Sequence, residues 1–120
     1  MLSSVVVTGD GVGKKFGYPT ANLQIRRSQV TVSPGVYAAR ATLERVVYRA
    51  ALIIRAEPWK IEVHLLNYNG PDFYGAFLTV DPIQKISELE SYESTGELKE
   101  KIAADLKLID EFLAEQEKKA

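Results

Sequence analysis

Residues 35–68 read "GVYAARATLERVVYRAALIIRAEPWKIEVHLLNY", and the way this stretch divides decides the fold. "GVYAARATLE" and "RVVYRAALII" are rich in Val, Tyr, Ile and Thr, residues that pack well on a pleated surface. Only a Glu-Arg junction separates them, which predicts a hairpin. "WKIEVHLLNY" reads as the next strand, and after the turn signal "NGPD" comes another, "FYGAFLTVD". Toward the N-terminus, "SSVVVTG" and "TANLQI" supply two more. Five or six strands with short links favour an antiparallel meander or a closed barrel. The alternating helices of a parallel sheet are missing.

Beyond residue 82 the composition changes to Glu, Lys, Ala and Leu. "STGE" places Ser94 three residues before Glu97, a capping-box spacing. Leu98, Ile102, Leu106, Ile109 and Leu113 then recur at helical spacing, and Lys118 and Lys119 suit a helix C-terminus. The expectation is one domain over residues 1–120: a barrel over about 1–82 and a covering helix over about 95–118.

At 120 residues with 46% apolar and 26% charged residues, the chain has an ordinary globular composition. A net charge of -1 gives no global basic field for nucleic acid or anionic lipid. Absence of cysteine removes disulfides, zinc–thiolate sites and thiol catalysis. The N-terminus lacks a cationic region and a long apolar run, and no segment is long enough to span a bilayer. A cytoplasmic location is expected.

Ahead of the second strand lies "TGDGVGKKFG", with Gly9, Gly11, Gly13 and Gly17 beside Lys14 and Lys15. Glycines let backbone N–H groups approach an anion, and lysines add charge, so the loop suits a phosphate. It is not a Walker loop: five residues before Gly13 stands Thr8, and Lys15 occupies the hydroxyl position. The dinucleotide fingerprint fails too, at Lys14. A surface loop without a ligand is the alternative.

"GYPTAN" (17–22) follows. Pro19 pre-sets the turn, and in extended chain Thr20 and Asn22 point the same way. Two neutral oxygens suit a hard cation such as Mg²⁺, which a protein holds through few groups while substrate phosphates complete the shell. The alternative is a turn whose side chains satisfy local backbone groups. In "KIEVHLL", Ile61, Val63 and Leu65 share one face and Glu62, His64 and Leu66 the other. Near a bound nucleotide, Glu62 is an acid able to take a proton from an attacking hydroxyl; otherwise it is a solvated outer-face residue. His64, the only histidine, reads as a structural hydrogen-bonding group rather than a metal ligand.

Together, "GDGVGKKFGYPTANL", "SPGVYAAR", "IEVHLLNYNGPDFYG" and "ELKEKIAADL" resemble a bacterial riboflavin kinase domain from about residue 6 to residue 106. The resemblance implies a mainly β fold, a six-stranded antiparallel Greek-key barrel with a C-terminal α-helix. It implies transfer of the γ-phosphoryl of ATP to the 5′-hydroxyl of riboflavin, giving FMN. By position, Gly11, Gly13, Lys14 and Lys15 fall in the loop over the nucleotide phosphates. Thr20 and Asn22 occupy the Mg²⁺-holding positions, and Glu62 the position of the catalytic base. The implied partners are riboflavin/FMN and ATP/ADP, with no nucleic acid, no membrane and a monomeric state. Many relatives carry an N-terminal adenylyltransferase domain; the chain begins at the barrel, so FAD synthesis is not expected.

The chain departs from the family pattern twice. "LIIRAEPWKIEVH" keeps only Pro58 of a longer stretch that helps build the nucleotide site, and Ser87 stands at an apparent arginine position bordering the flavin side. One alternative is a barrel of this descent that binds flavin or nucleotide without turnover. Another is a small barrel that binds RNA or a protein, which the net charge opposes.

Overall fold

The computed structural model describes residues 1–7, 20–68, 73–89 and 95–119. Six strands form: β1 (Leu2–Val7), β2 (Thr20–Leu23), β3 (Gly35–Leu43), β4 (Val46–Ala56), β5 (Trp59–Leu65) and β6 (Phe77–Ser87). They close into an antiparallel barrel of order β1-β2-β5-β4-β3-β6, with β6 pairing back to β1. A long helix, α1 (Thr95–Lys119), follows. The barrel and C-terminal helix implied by the resemblance are therefore present.

The hairpin expected at the Glu-Arg junction joins β3 to β4. Glu44 and Arg45 have φ of 49° and 71°, the left-handed values that a two-residue hairpin turn demands. A second two-residue link, Glu57–Pro58, joins β4 to β5, so the shortened region is a tight hairpin.

Why β4 does not alternate cleanly is visible in the packing. Ala50, Leu52 and Ile54 fill the barrel interior with Ile61, Val63, Leu65, Leu78 and Val80. Ala51, on the opposite face, is buried too, because α1 covers that flank through Ile109 and Leu113. Small residues serve both sides: Ala21, Ala39, Ala41 and Ala50 fit a narrow interior, while Ala38 and Ala51 let the helix approach closely. Arg49 reinforces the seam, donating to Asp110 at 2.8 Å and to Glu117 at 2.7 Å and 3.1 Å.

The last strand differs from the reading of "FYGAFLTVD". It begins four residues later, at Phe77, and runs through Pro82 to Ser87. Two register shifts against β3 explain this: Ala39 pairs with Pro82 but Ala38 with Gln84, and Tyr37 pairs with Lys85 but Val36 with Ser87. Each shift leaves one β6 residue over, Ile83 and then Ile86, and both pack into the cluster beneath α1. A bulge is where a strand accepts proline, which cannot donate to the ladder. At the far end of this pairing a Cβ on Gly35 would stand 3.2 Å from the Ser87 carbonyl oxygen and 2.6 Å from Lys85 Cε, and its φ is 153°. That is the physical requirement for glycine in "GVYA".

The helix matches its expected range. Ile109 and Leu113 are fully buried, and Leu106 packs against the same cluster. Ser94 of the capping-box reading lies outside the described residues, as does the side chain of Leu98.

Candidate functional site

The β2–β5 ladder sets Asn22 directly opposite Glu62, and Thr20 opposite His64. Period two sends Ile61, Val63 and Leu65 into the core and Glu62 and His64 to the outer wall. Both are nevertheless buried, at 4% and 3% exposure. Glu62 is thus not the solvated residue of the alternative reading. A buried carboxylate requires partners, and two cations supply them. Arg55 Nε donates to Glu62 Oε1 at 3.2 Å, and Lys60 Nζ stands 3.8 Å from the same oxygen.

Asn22 is also buried, and its Oδ1 has no hydrogen-bond partner among the described residues. Leaving a buried acceptor unsatisfied costs about 1–3 kcal/mol, so the position favours a ligand that takes an oxygen lone pair. A neutral amide oxygen is a hard donor of the kind Mg²⁺ takes, with phosphates and waters completing its shell, and Asn22 fits that ion. Thr20 belongs to β2, but its side chain lies outside the described residues, as do Gly11, Gly13, Lys14 and Lys15. Among the described residues, no three His, Asp or Glu side chains gather as metal ligands. Burial pushes the His64 imidazole below its ordinary value; Glu62 opposes that shift and Arg55 adds to it.

Two cavities flank the Glu62 pair. An open cleft of about 940 Å³ is lined by Asn22, Gln24, Arg26, Trp59 and Lys60 among others. A cavity of about 50 Å³ lies between the barrel wall and α1, with Ile53, Arg55, His64, Lys101, Asp105 and Leu106 in its lining. Glu62 stands between them, adjoining Asn22 and Lys60 on one side and Arg55 and His64 on the other. In the cleft, Trp59 donates its indole N–H to the Ile25 carbonyl at 2.7 Å and lies under the Arg27 guanidinium at 5.2 Å. By the smaller cavity, the Ser87 hydroxyl accepts from Lys101 Nζ at 2.8 Å and donates to Asp105 at 3.2 Å, while Lys101 and Asp105 form an ion pair. The reading of sequence alone missed Arg55, Lys60, Lys101 and Asp105. Lys60 carried a signal, since it shares the strand face of Glu62; the other three come from elements whose register and docking no local pattern gives.

The chain is thus a closed six-stranded antiparallel barrel with an amide and a carboxylate paired on its wall and a helix along its flank. The riboflavin kinase family model matches residues 1–113, and the chain belongs to that family. It is 36% identical over 111 residues to the bifunctional riboflavin kinase/FMN adenylyltransferase of Escherichia coli strain K12, covering 87% of this chain and 35% of that protein. The chain spans little more than a third of the length of the curated relatives it matches. A Streptococcus pneumoniae crystal structure described as a macrolide-efflux protein superposes with a TM-score of 0.79 at 26% identity, over 90% of this chain and 37% of that one. The riboflavin kinase of Trypanosoma brucei superposes at a TM-score of 0.72 and 22% identity, over 93% of this chain and 75% of that one, a likeness of fold.

Proposed function

We propose that residues 1–120 act as one kinase unit that transfers the γ-phosphoryl of ATP to the 5′-hydroxyl of riboflavin in a Mg²⁺-dependent reaction, giving FMN and ADP. The juxtaposition of Asn22 with Glu62 carries this reading, because it sets a metal-suited oxygen beside a carboxylate between two cavities. Family membership and the named relatives support the choice of substrates.

Glu62 accepts the proton of the acceptor hydroxyl. The hydroxyl oxygen then bonds to the γ-phosphorus as the bond to the bridging oxygen breaks, and ADP departs with that electron pair. Asn22 Oδ1, with Thr20 beside it in β2, would hold Mg²⁺, which when bound neutralises charge on the phosphates. Gly11, Gly13, Lys14 and Lys15 are assigned to the phosphate loop. Most of the acceleration is positioning and charge compensation. The chain is assigned a cytoplasmic location and a monomeric state.

Incubation with riboflavin, ATP and Mg²⁺, resolved by chromatography, tests the proposal. FMN formation that stops with EDTA is expected; no FMN with ATP, CTP or GTP overturns it. The tight Glu57–Pro58 hairpin favours one second reading, a barrel that binds flavin without turnover. Flavin fluorescence quenched on binding, with no FMN formed, selects that reading.

A further inference from the structure

We propose that Arg55 is a positioning residue that holds the Glu62 carboxylate away from the divalent ion and turned toward the acceptor. This rests on the phosphoryl-transfer reading of the same site.

The strand order β2-β5-β4 sets the geometry. On one side of Glu62 stands Asn22, the candidate metal-binding oxygen; on the other, β4 presents Ile53 directly opposite and Arg55 two residues further. Ile53 offers the carboxylate nothing polar. Arg55 reaches across the ladder diagonal, and its Nε engages Oε1 at 3.2 Å. Lys60 engages that same Oε1 at 3.8 Å. Both cations therefore act on Oε1. Arg55 also lines the cavity beneath α1.

The chemistry explains why such a restraint matters. A carboxylate next to a bound divalent ion is a better ligand for it than a neutral amide. Once ligated, its lone pairs are committed to the metal, and it is a poor acceptor for the hydroxyl proton. A base beside a metal site needs a group pulling it the other way. Arg55 stands on the strand opposite to Asn22, and its guanidinium is permanently charged and directional. Lysine at 55 would keep the charge without the planar fork.

The test uses the full chain with Arg55→Met and Arg55→Lys. Arg55 is 41% exposed and Lys60 still faces Glu62, so folding is expected to survive, with circular dichroism as the check. Should the Met variant unfold, Arg55→Gln takes its place. Titration with Mn²⁺ alone, read by electron paramagnetic resonance without substrates, is expected to show binding tighter by about fivefold or more in Arg55→Met, the scale of coupling between contacting charges. With substrates, kcat for FMN formation falls about tenfold or more while the KM for riboflavin stays within about twofold, and Arg55→Lys restores part of the loss. Unchanged, weakened or absent Mn²⁺ binding in Arg55→Met overturns the proposal, as does an unchanged kcat. If the unmodified chain forms no FMN, the kinase reading falls, and the Mn²⁺ titration alone decides the role of Arg55.

Discussion

Asn22 and Glu62 are direct partners in the β2–β5 ladder, a buried amide oxygen without a hydrogen-bond partner among the described residues facing a buried carboxylate held by Arg55 and Lys60. Forty residues separate them in sequence. The barrel brings them together because β2 pairs with β5 rather than with β3.

Removing either group separates their roles. Glu62→Gln keeps the shape and loses the base, so kcat for FMN formation is expected to fall by about 10²–10⁴-fold. Asn22→Ala removes an acceptor that lacks a partner among the described residues, so stability without metal is expected to hold or to rise, by up to about 1–3 kcal/mol. The rise in melting temperature that Mg²⁺ gives the parent chain disappears in this variant. A Mg²⁺-induced rise that persists in Asn22→Ala places the ion elsewhere.

Acid sensitivity follows from His64. Burial, the largest cause, holds its folded-state pKa below the ordinary value, with Arg55 adding and Glu62 opposing. The unfolded chain takes up this proton near pH 6.5, the folded chain only at lower pH. Below about pH 6.5 the unfolded state therefore binds more protons, and stability is lost at up to about 1.4 kcal/mol per pH unit. Above that pH the contribution is complete. Melting temperatures between pH 7 and pH 5 should fall more steeply for the parent chain than for His64→Gln; equal slopes exclude His64 as the source.

The Glu44–Arg45 turn stores backbone strain. Both residues sit at positive φ, 49° and 71°, where a side chain bearing a Cβ is disfavoured. Glu44→Asn with Arg45→Gly supplies the preferred residues of this turn and is expected to add about 1 kcal/mol of stability, or about 4 °C in Tm. Urea denaturation measures it, and a loss of stability would show that these side chains make compensating contacts.

Helix docking rests on a small apolar cluster. Leu113 is fully buried beside Ile109, Val36, Ala38 and Ala51. Leu113→Ala is expected to cost about 2–5 kcal/mol through lost burial and an unfilled cavity. Chemical denaturation followed by circular dichroism gives the value; a cost below 1 kcal/mol would mean that the Arg49–Asp110–Glu117 ion pairs hold the helix largely unaided.

Local chemistry was enough for the strand and helix types. The β-branched and aromatic runs gave β3, β4 and β5, the Glu-Arg junction gave a hairpin, and the 3.6-residue repeat gave α1 almost to its ends. The run "FYGAFLTVD" stops at Asp81, yet β6 continues past Pro82 because a bulge releases that position from donating to the ladder. The alternation in "KIEVHLL" separated the two faces correctly. It did not show that the outer face is buried, since what covers it comes from distant segments.

The sequence by itself determined the short-range choices: period-two and period-3.6 patterns, turn residues, and the motif residues Thr20, Asn22 and Glu62, because these depend on neighbours along the chain. Only the tertiary structure decided which strands pair, that Asn22 meets Glu62, that Arg55 and Lys60 share one carboxylate oxygen, and that α1 closes a cavity over His64. Those relationships depend on barrel closure and register, where contacts between residues far apart in sequence outweigh any local preference.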